Sequence, residues 1–169
     1  ITVAFDVKGP TFRHALFKEY KIERPPMPDD LSPQIPLIKE ITAAFNIRGL
    51  EKQGYEADDI IATLVRRFAA DDIKIVIISG DKDMMRLVRD GGVVILDYVN
   101  DKEYGEKEVM EKTGVMARNI TDFIALAGDA SDNIPGVKGI GAKTAAKIIN
   151  KFNSLEDLHK NIDKIEPQN

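Results

Sequence analysis

Eight carboxylates fall into four short clusters, each following an apolar run. Asp6 comes after residues 1–5, and Glu56, Asp58 and Asp59 lie in Tyr55-Glu56-Ala57-Asp58-Asp59. Asp81 and Asp83 lie in Ser79-Gly80-Asp81-Lys82-Asp83, and Asp129 and Asp132 in Gly128-Asp129-Ala130-Ser131-Asp132-Asn133. Acids placed where apolar elements end can converge on one rim of a parallel sheet, the place where open α/β folds bind ligands. Without a cation among them they would repel and raise one another's pKa. Hard oxygen donors, with no Cys and with His only at His14 and His159, favour Mg2+ or Mn2+ over zinc. The pattern points to a divalent-metal site for phosphate chemistry. Taken singly, each cluster has a plainer explanation: acids favour helix starts, and Asp favours turns. Their recurrence at the same kind of position favours one shared site.

A second signal is the run Gly136-Val137-Lys138-Gly139-Ile140-Gly141-Ala142-Lys143-Thr144-Ala145. A tight Gly-Ile-Gly turn between two helices exposes backbone N–H groups at a helix N-terminus, which is an anion site by geometry and dipole. Gly139 and Gly141 permit close approach of a phosphate, and Lys143 stands in the first helical turn beside it. It is not a P-loop, because Ala142 occupies the place where that motif needs Lys.

The elements that must position these residues alternate between strand and helix. Strands are predicted at 1–5, 46–52, 74–79 and 93–98, and the run Ile75-Val76-Ile77-Ile78 is expected to be buried on both faces of a parallel sheet. Helices are predicted at 11–21, 32–45 (Ser32 as cap, Pro33 in the first turn), 57–70, 83–88, 106–112, 119–127 and 142–150. The prolines between Arg24 and Asp30 break the chain. This order predicts an α/β fold, a mainly parallel sheet flanked by helices, with a helical appendage after about residue 128.

At 169 residues, 43% hydrophobic and 31% charged, the chain has the composition of one soluble globular domain with a small appendage. No apolar run approaches the roughly 20 residues that span a bilayer, so no membrane partner is expected. The absence of Cys fits a reducing interior. The net charge is −4, but its distribution suits a phosphodiester. No acid occurs from Asn133 to Leu155, where Lys138, Lys143, Lys147 and Lys151 fall, and Lys8, Arg13, Lys18, Lys21 and Arg24 face only Glu19 and Glu23. Separate basic and acidic surfaces let lysines hold a nucleic-acid backbone while metals sit at the reacting phosphate.

Five motifs carry a specific resemblance. They are Phe5-Asp6-x-Lys8-Gly9, Tyr20-Lys21-x-x-Arg24-Pro25-Pro26-Met27-Pro28-Asp29-Asp30-Leu31, Glu56-Ala57-Asp58-Asp59, Gly80-Asp81-Lys82-Asp83 and Gly128-Asp129-x-Ser131-Asp132-Asn133-Ile134-Pro135-Gly136-Val137. Over nearly its whole length the chain resembles the 5′-nuclease domain of bacterial DNA polymerase I, within the flap endonuclease family. The resemblance implies a nuclease core at 1–128, with a helical arch at about 11–30 that passes a single-stranded 5′ end. It also implies a helix–three-turn–helix DNA-binding element within 129–169, truncated at its C-terminal side. Asp6, Glu56, Asp58 and Asp81 would help hold one metal, with Asp59 and Asp83 in the same cluster, and Asp129 and Asp132 would serve a second. Lys21 and Arg24 would approach the scissile phosphate as catalytic residues, Tyr20 would stack on an unpaired base, and Arg13 would contact backbone phosphate. Lys138, Gly139, Gly141, Lys143 and Lys147 would hold the duplex.

The implied activity is hydrolysis of DNA with a 5′ flap, nick or free 5′ end, using two Mg2+ or Mn2+ ions, in the bacterial cytoplasm and with a polymerase domain as a possible partner in the parent chain. The family places a further strand with an Asp-Gly pair ahead of the region seen here. The chain is therefore expected to be a fragment with exposed apolar edges and weakened metal binding. Two other readings stay open at this point: a non-catalytic module that binds DNA structures, and a phosphoacceptor α/β signalling domain. The second leaves the 133–155 lysines and the proline-rich arch unexplained.

Overall fold

In a computed structural model, residues 1–70 and 72–164 are described. They divide into two compact units, one of residues 1–67 with 131–133 and one of residues 68–130 with the chain from 134 onward. The last five residues of the predicted DNA-binding region, 165–169, lie outside the described residues. Among the described residues no helix is long and apolar enough to cross a membrane.

The first unit pairs β1 (Thr2–Ala4) with β2 (Arg48–Leu50) in parallel, Val3 opposite Gly49. Between them run α1 (Phe12–Leu16) and α2 (Gln34–Ala44), and α3 (Ala57–Phe68) follows. The helix predicted for 11–21 ends at Leu16, because Phe17 is extended and Lys21 turns left-handed at φ 55. Long-range bonds explain the early stop: the Lys21 N–H donates to the Asp132 carbonyl at 3.1 Å. Helix α2 begins after Pro33 rather than Ser32. Pro36 falls in its first turn, where a missing N–H costs no helical bond. Leu37, Ile38, Ile41 and Phe45 along α2 all stay exposed.

In the second unit β4 (Val93–Asp97) lies between parallel β3 (Ile75–Ile78) and antiparallel β5 (Lys102–Tyr104). Parallel pairing thus prevails, as the alternating pattern predicts. The expected burial of β3 on both faces is not found. Ile77 is buried, whereas Val76 and Ile78 are 45% and 64% exposed. Successive side chains point to opposite faces, so an all-apolar strand is fully buried only when both faces are covered. Strand β5 is too short and too charged to be read from periodicity. At the β4–β5 turn the Asp97 carboxylate accepts from the Asn100 side chain (2.8 Å) and from the backbone N–H groups of Val99 and Asn100. Those bonds, that from the Asn100 side chain first, hold its pKa below the ordinary range.

After β5 come α4 (Glu106–Thr113), α5 (Ile120–Ala127), α6 (Ala142–Phe152) and α7 (Leu155–Lys160). The core of this unit gathers Val93, Ile95, Met84, Val109, Val115 and Ile149, each at most 1% exposed. Helix α6 turns Ala145 and Ile149 inward and packs against α5. Ile95→Val removes one methyl from the central strand and is expected to cost about 1 kcal/mol, read as a lower denaturant midpoint at unchanged slope.

Candidate functional site

The predicted acids fall into two groups, one in each unit. In the first unit Glu56 stands just before α3, whose first turn carries Asp58 and Asp59. The Glu56 N–H donates to Asp59 Oδ2 at 3.0 Å, which closes the helix start and keeps both carboxylates near the positive end of the dipole. Asp6, past the end of β1, accepts from the Ala57 N–H at 2.7 Å. That bond brings a strand end to the same helix N-terminus.

Four residues of the 13–24 segment meet these acids and Asp132. Arg13 donates both arms of its guanidinium to the two Asp59 oxygens, at 2.8 Å each. That fork is the strong geometry for an arginine–carboxylate pair. It is the main cause of the raised Arg13 pKa; burial opposes the shift, and the charges of Asp59 and Glu56 add to it. Tyr20 is only 6% exposed, with its hydroxyl 2.9 Å from Glu56 Oε2 and 3.0 Å from Asp132 Oδ2. Burial, then the bonds to Glu56 and Asp132, push the phenol pKa far up. Lys21 Nζ lies 2.9 Å from Glu56 Oε1 and 3.7 Å from Asp132 Oδ2. Arg24 Nη2 lies 3.6 Å from Asp132 Oδ1, with its side chain half exposed. The Tyr20 ring, read from sequence as a platform for an unpaired base, packs edge-on against His14 at 5.3 Å instead.

In the second unit Asp129 is buried in a small closed loop, because Asp129 and Ile134 exchange backbone bonds of 2.8 and 2.7 Å. Its Oδ1 accepts from Lys82 Nζ at 3.1 Å. Burial alone would lower the Lys82 pKa, but the bond to Asp129 and the charges of Asp129, Asp83 and Asp81 outweigh it and raise the pKa. Asp81 caps the short helix Lys82–Leu87 by accepting from the Asp83 N–H at 2.8 Å. Asp83 itself is half-buried beside the core residues Met84 and Met85. Lys82 is absent from the residues singled out by sequence, although a cation flanked by two acids in Gly80-Asp81-Lys82-Asp83 was a legible signal.

Of the predicted backbone-binding residues, Lys138, Gly139, Gly141, Lys143 and Lys147 lie in the second unit. Lys138, Lys143 and Lys147 are exposed, and the two lysines on α6 lie four residues apart, away from its buried Ala145 and Ile149. Gly139 has φ +85, and beyond the glycine and its chain neighbours no heavy atom lies within 4 Å of where a Cβ would stand on Gly139 or Gly141. A phosphate has room there.

Among the described residues no three His, Asp or Glu side chains come together as a metal-holding group. Glu56, Asp59 and Asp132 of the first unit are turned instead toward Arg13, Tyr20, Lys21 and Arg24. The residues nonetheless fit a hard divalent ion in two respects. Every donor is a carboxylate oxygen, which suits Mg2+ or Mn2+. Each acidic group also already draws a tethered ammonium to itself, Lys21 in one and Lys82 in the other.

Comparison with known proteins agrees along the whole chain. Residues 1–114 match the family described as "5'-3' exonuclease, N-terminal resolvase-like domain". Residues 115–169 match "5'-3' exonuclease, C-terminal SAM fold". The DNA polymerase I of Caldicellulosiruptor bescii is 46% identical over 98% of this chain and 20% of its own length. The 5′-3′ exonuclease of Aquifex aeolicus is 42% identical over 98% of this chain and 57% of its own. This chain thus spans between a fifth and just over half of those relatives. Among solved structures, the zinc-bound 5′-exonuclease of T5 superimposes with a TM-score of 0.80 at 26% identity, over 99% of this chain and 65% of that one. The T5 D15 flap endonuclease in complex with DNA and metal ions gives 0.79 at the same identity and coverage. By its motifs, its fold and these matches, the chain belongs to the 5′-3′ exonuclease family.

Proposed function

We propose that the chain is the core of a structure-specific 5′-nuclease, a 5′-3′ exonuclease and 5′-flap endonuclease that hydrolyses DNA phosphodiesters with two Mg2+ or Mn2+ ions in flap and primer removal. Its substrates are DNA ends with a 5′ flap, a nick or a free 5′ terminus, and a polymerase domain belongs to the same parent chain. One observation carries the reading: Tyr20, Lys21 and Arg24 meet Glu56 and Asp132, so phosphate-seeking cations and metal-seeking carboxylates share one place. The names of relatives and neighbours support it, since one is a 5′-3′ exonuclease and another holds DNA and metal ions.

Asp6, Glu56, Asp58, Asp59 and Asp132 in the first unit, and Asp81, Asp83 and Asp129 in the second, are the carboxylates that would hold the ions. Bound there, such ions supply an activated water and neutralise charge at the phosphate. Lys21 and Arg24 offset the negative charge that grows on the phosphoryl oxygens. Arg13 orients Asp59 through its two-armed bond. The exposed lysines of α6, with the Gly139–Gly141 turn, hold backbone phosphates without reading bases, so shape rather than sequence selects the substrate. No Ser, Cys or His arrangement in these groups calls for a covalent intermediate.

The test is incubation with a labelled 5′-flap duplex and Mg2+. Release of the flap strand, abolished by chelator, supports the reading; tight binding without cleavage at high protein makes the chain a DNA-structure-binding module instead. The lysine surface has its own check. Lys143→Ala is expected to weaken binding to all sequences alike and to reduce the slope of log K against log salt by about one, measured by fluorescence anisotropy across a salt series.

A further inference from the structure

Three features of residues 17–24 point the same way. The Tyr20 hydroxyl faces Glu56 Oε2 and Asp132 Oδ2 at 2.9 and 3.0 Å. A phenol has one proton to donate, so the two carboxylates share a single hydrogen from Tyr20. The second feature is Lys21, whose ammonium lies 2.9 Å from Glu56 and 3.7 Å from Asp132, where Arg13 also lies 3.7 Å from Glu56 and Arg24 3.6 Å from Asp132. The third is the Lys21 backbone, held at φ 55. A lysine adopts that conformation only when its surroundings impose it. Here they do so through the bond from the Lys21 N–H to the Asp132 carbonyl and the bond from the Asn133 side chain to the Glu19 carbonyl at 2.8 Å. The segment is thus strained at Lys21, and its anchors are two of the carboxylates that the proposed function assigns to a divalent ion, so ion and ammonium would compete for the same oxygens.

We propose that Tyr20 and Lys21 form a latch: they hold residues 17–24 against Glu56 and Asp132 while these carboxylates lack a divalent cation, and they let go when a cation is held there. On release the Lys21 backbone relaxes, and the Lys21 and Arg24 side chains become free for a substrate phosphate. Tyr20 is then a positioning residue that acts through Glu56 and Asp132. The latch rests on the proposal that these acids hold metal, and its test separates the two.

The test is limited trypsin digestion of the chain with and without saturating Mg2+, read by mass spectrometry at the Lys21–Ile22 bond. The Lys52–Gln53 bond in the same unit, beside an exposed lysine, serves as internal control. Cleavage that samples an opened state tracks its population. The cut after Lys21 is therefore expected to speed up by about fivefold or more with Mg2+, the lower end of typical coupling between sites, while the control cut is unchanged. Tyr20→Phe keeps the buried ring and removes the shared hydroxyl; it is expected to give the fast Lys21 cut without Mg2+ and to tighten Mg2+ binding by about fivefold in calorimetry. Lys18→Gln removes a nearby charge outside the latch and is expected to leave both readings near wild type. If calorimetry shows Mg2+ uptake that Glu56→Gln abolishes, while the Lys21 cut stays constant or slows, the latch is overturned and the metal reading stands. If no Mg2+ is taken up at all, the metal reading falls and the latch with it. The wild-type digest needs no variant to fold.

Discussion

Gly136→Ala is expected to destabilise the chain by about 2–5 kcal/mol, combining the cost of a left-handed non-glycine residue with that of overpacking. Gly136 has φ +63, and a Cβ placed on it would lie 2.4 Å from the Gly128 nitrogen and 2.6 Å from the Ala127 carbonyl carbon. Gly128 has φ +81, and a Cβ there would meet the Ile134 oxygen at 2.7 Å. Two stretches of main chain therefore cross at a pair of glycines, and no flexible side chain can give way. The crossing is tied on both sides, by the Asp129–Ile134 exchange and by the Val137 N–H donating to the Leu126 carbonyl at 2.8 Å. Because Asp129 belongs to that exchange, the substitution is also expected to loosen its pair with Lys82. Gly139→Ala supplies the comparison: its φ is +85, but open space surrounds it. Only the backbone cost of about 1–2 kcal/mol is expected there. Denaturant unfolding of both variants decides the matter, and equal midpoints would show that the crossing adds nothing.

Lys21→Ala is expected to lower single-turnover cleavage of a 5′-flap duplex by about 10²–10³, the typical loss when one preorganised donor to a developing charge is removed. The same variant is expected to bind Mg2+ more tightly, since Glu56 and Asp132 lose a competing ammonium. Opposite signs in the two measurements distinguish a group that acts on the reacting phosphate from one that only maintains structure. Thermal melting should change little, because the Tyr20 hydroxyl still joins the two carboxylates. A cleavage rate within about threefold of wild type would remove Lys21 from the chemistry.

Much of the scaffold was legible because short-range rules govern it. The 3.6-residue spacing of Ile60, Ile61, Leu64 and Phe68 marks α3, and its acidic first turn suits the dipole. The apolar runs of β3 and β4 mark parallel neighbours, and the lysines of α6 follow from its buried Ala145 and Ile149. Helix α7 carries a legible start that apolar spacing alone passes over, with Ser154 accepting from the Asp157 N–H three residues on. Strand β5 has no such signal, because its Lys-Glu-Tyr sequence pairs only through the turn that Asp97 shapes.

The residue types of this protein settle the donor chemistry by themselves: carboxylates at element ends, lysines along one helix face, and glycines where the main chain must turn left or approach closely. Spacing along the chain is enough for that, since helix and strand periods concern neighbours. Tertiary structure alone decides that Tyr20 is buried against carboxylates instead of open to a base, and that Lys21 leaves the helical pattern to meet Glu56. It also brings the Tyr20 hydroxyl to a carboxylate 112 positions later. Such choices depend on which distant charges become neighbours once the chain is packed, and local propensity carries no record of that.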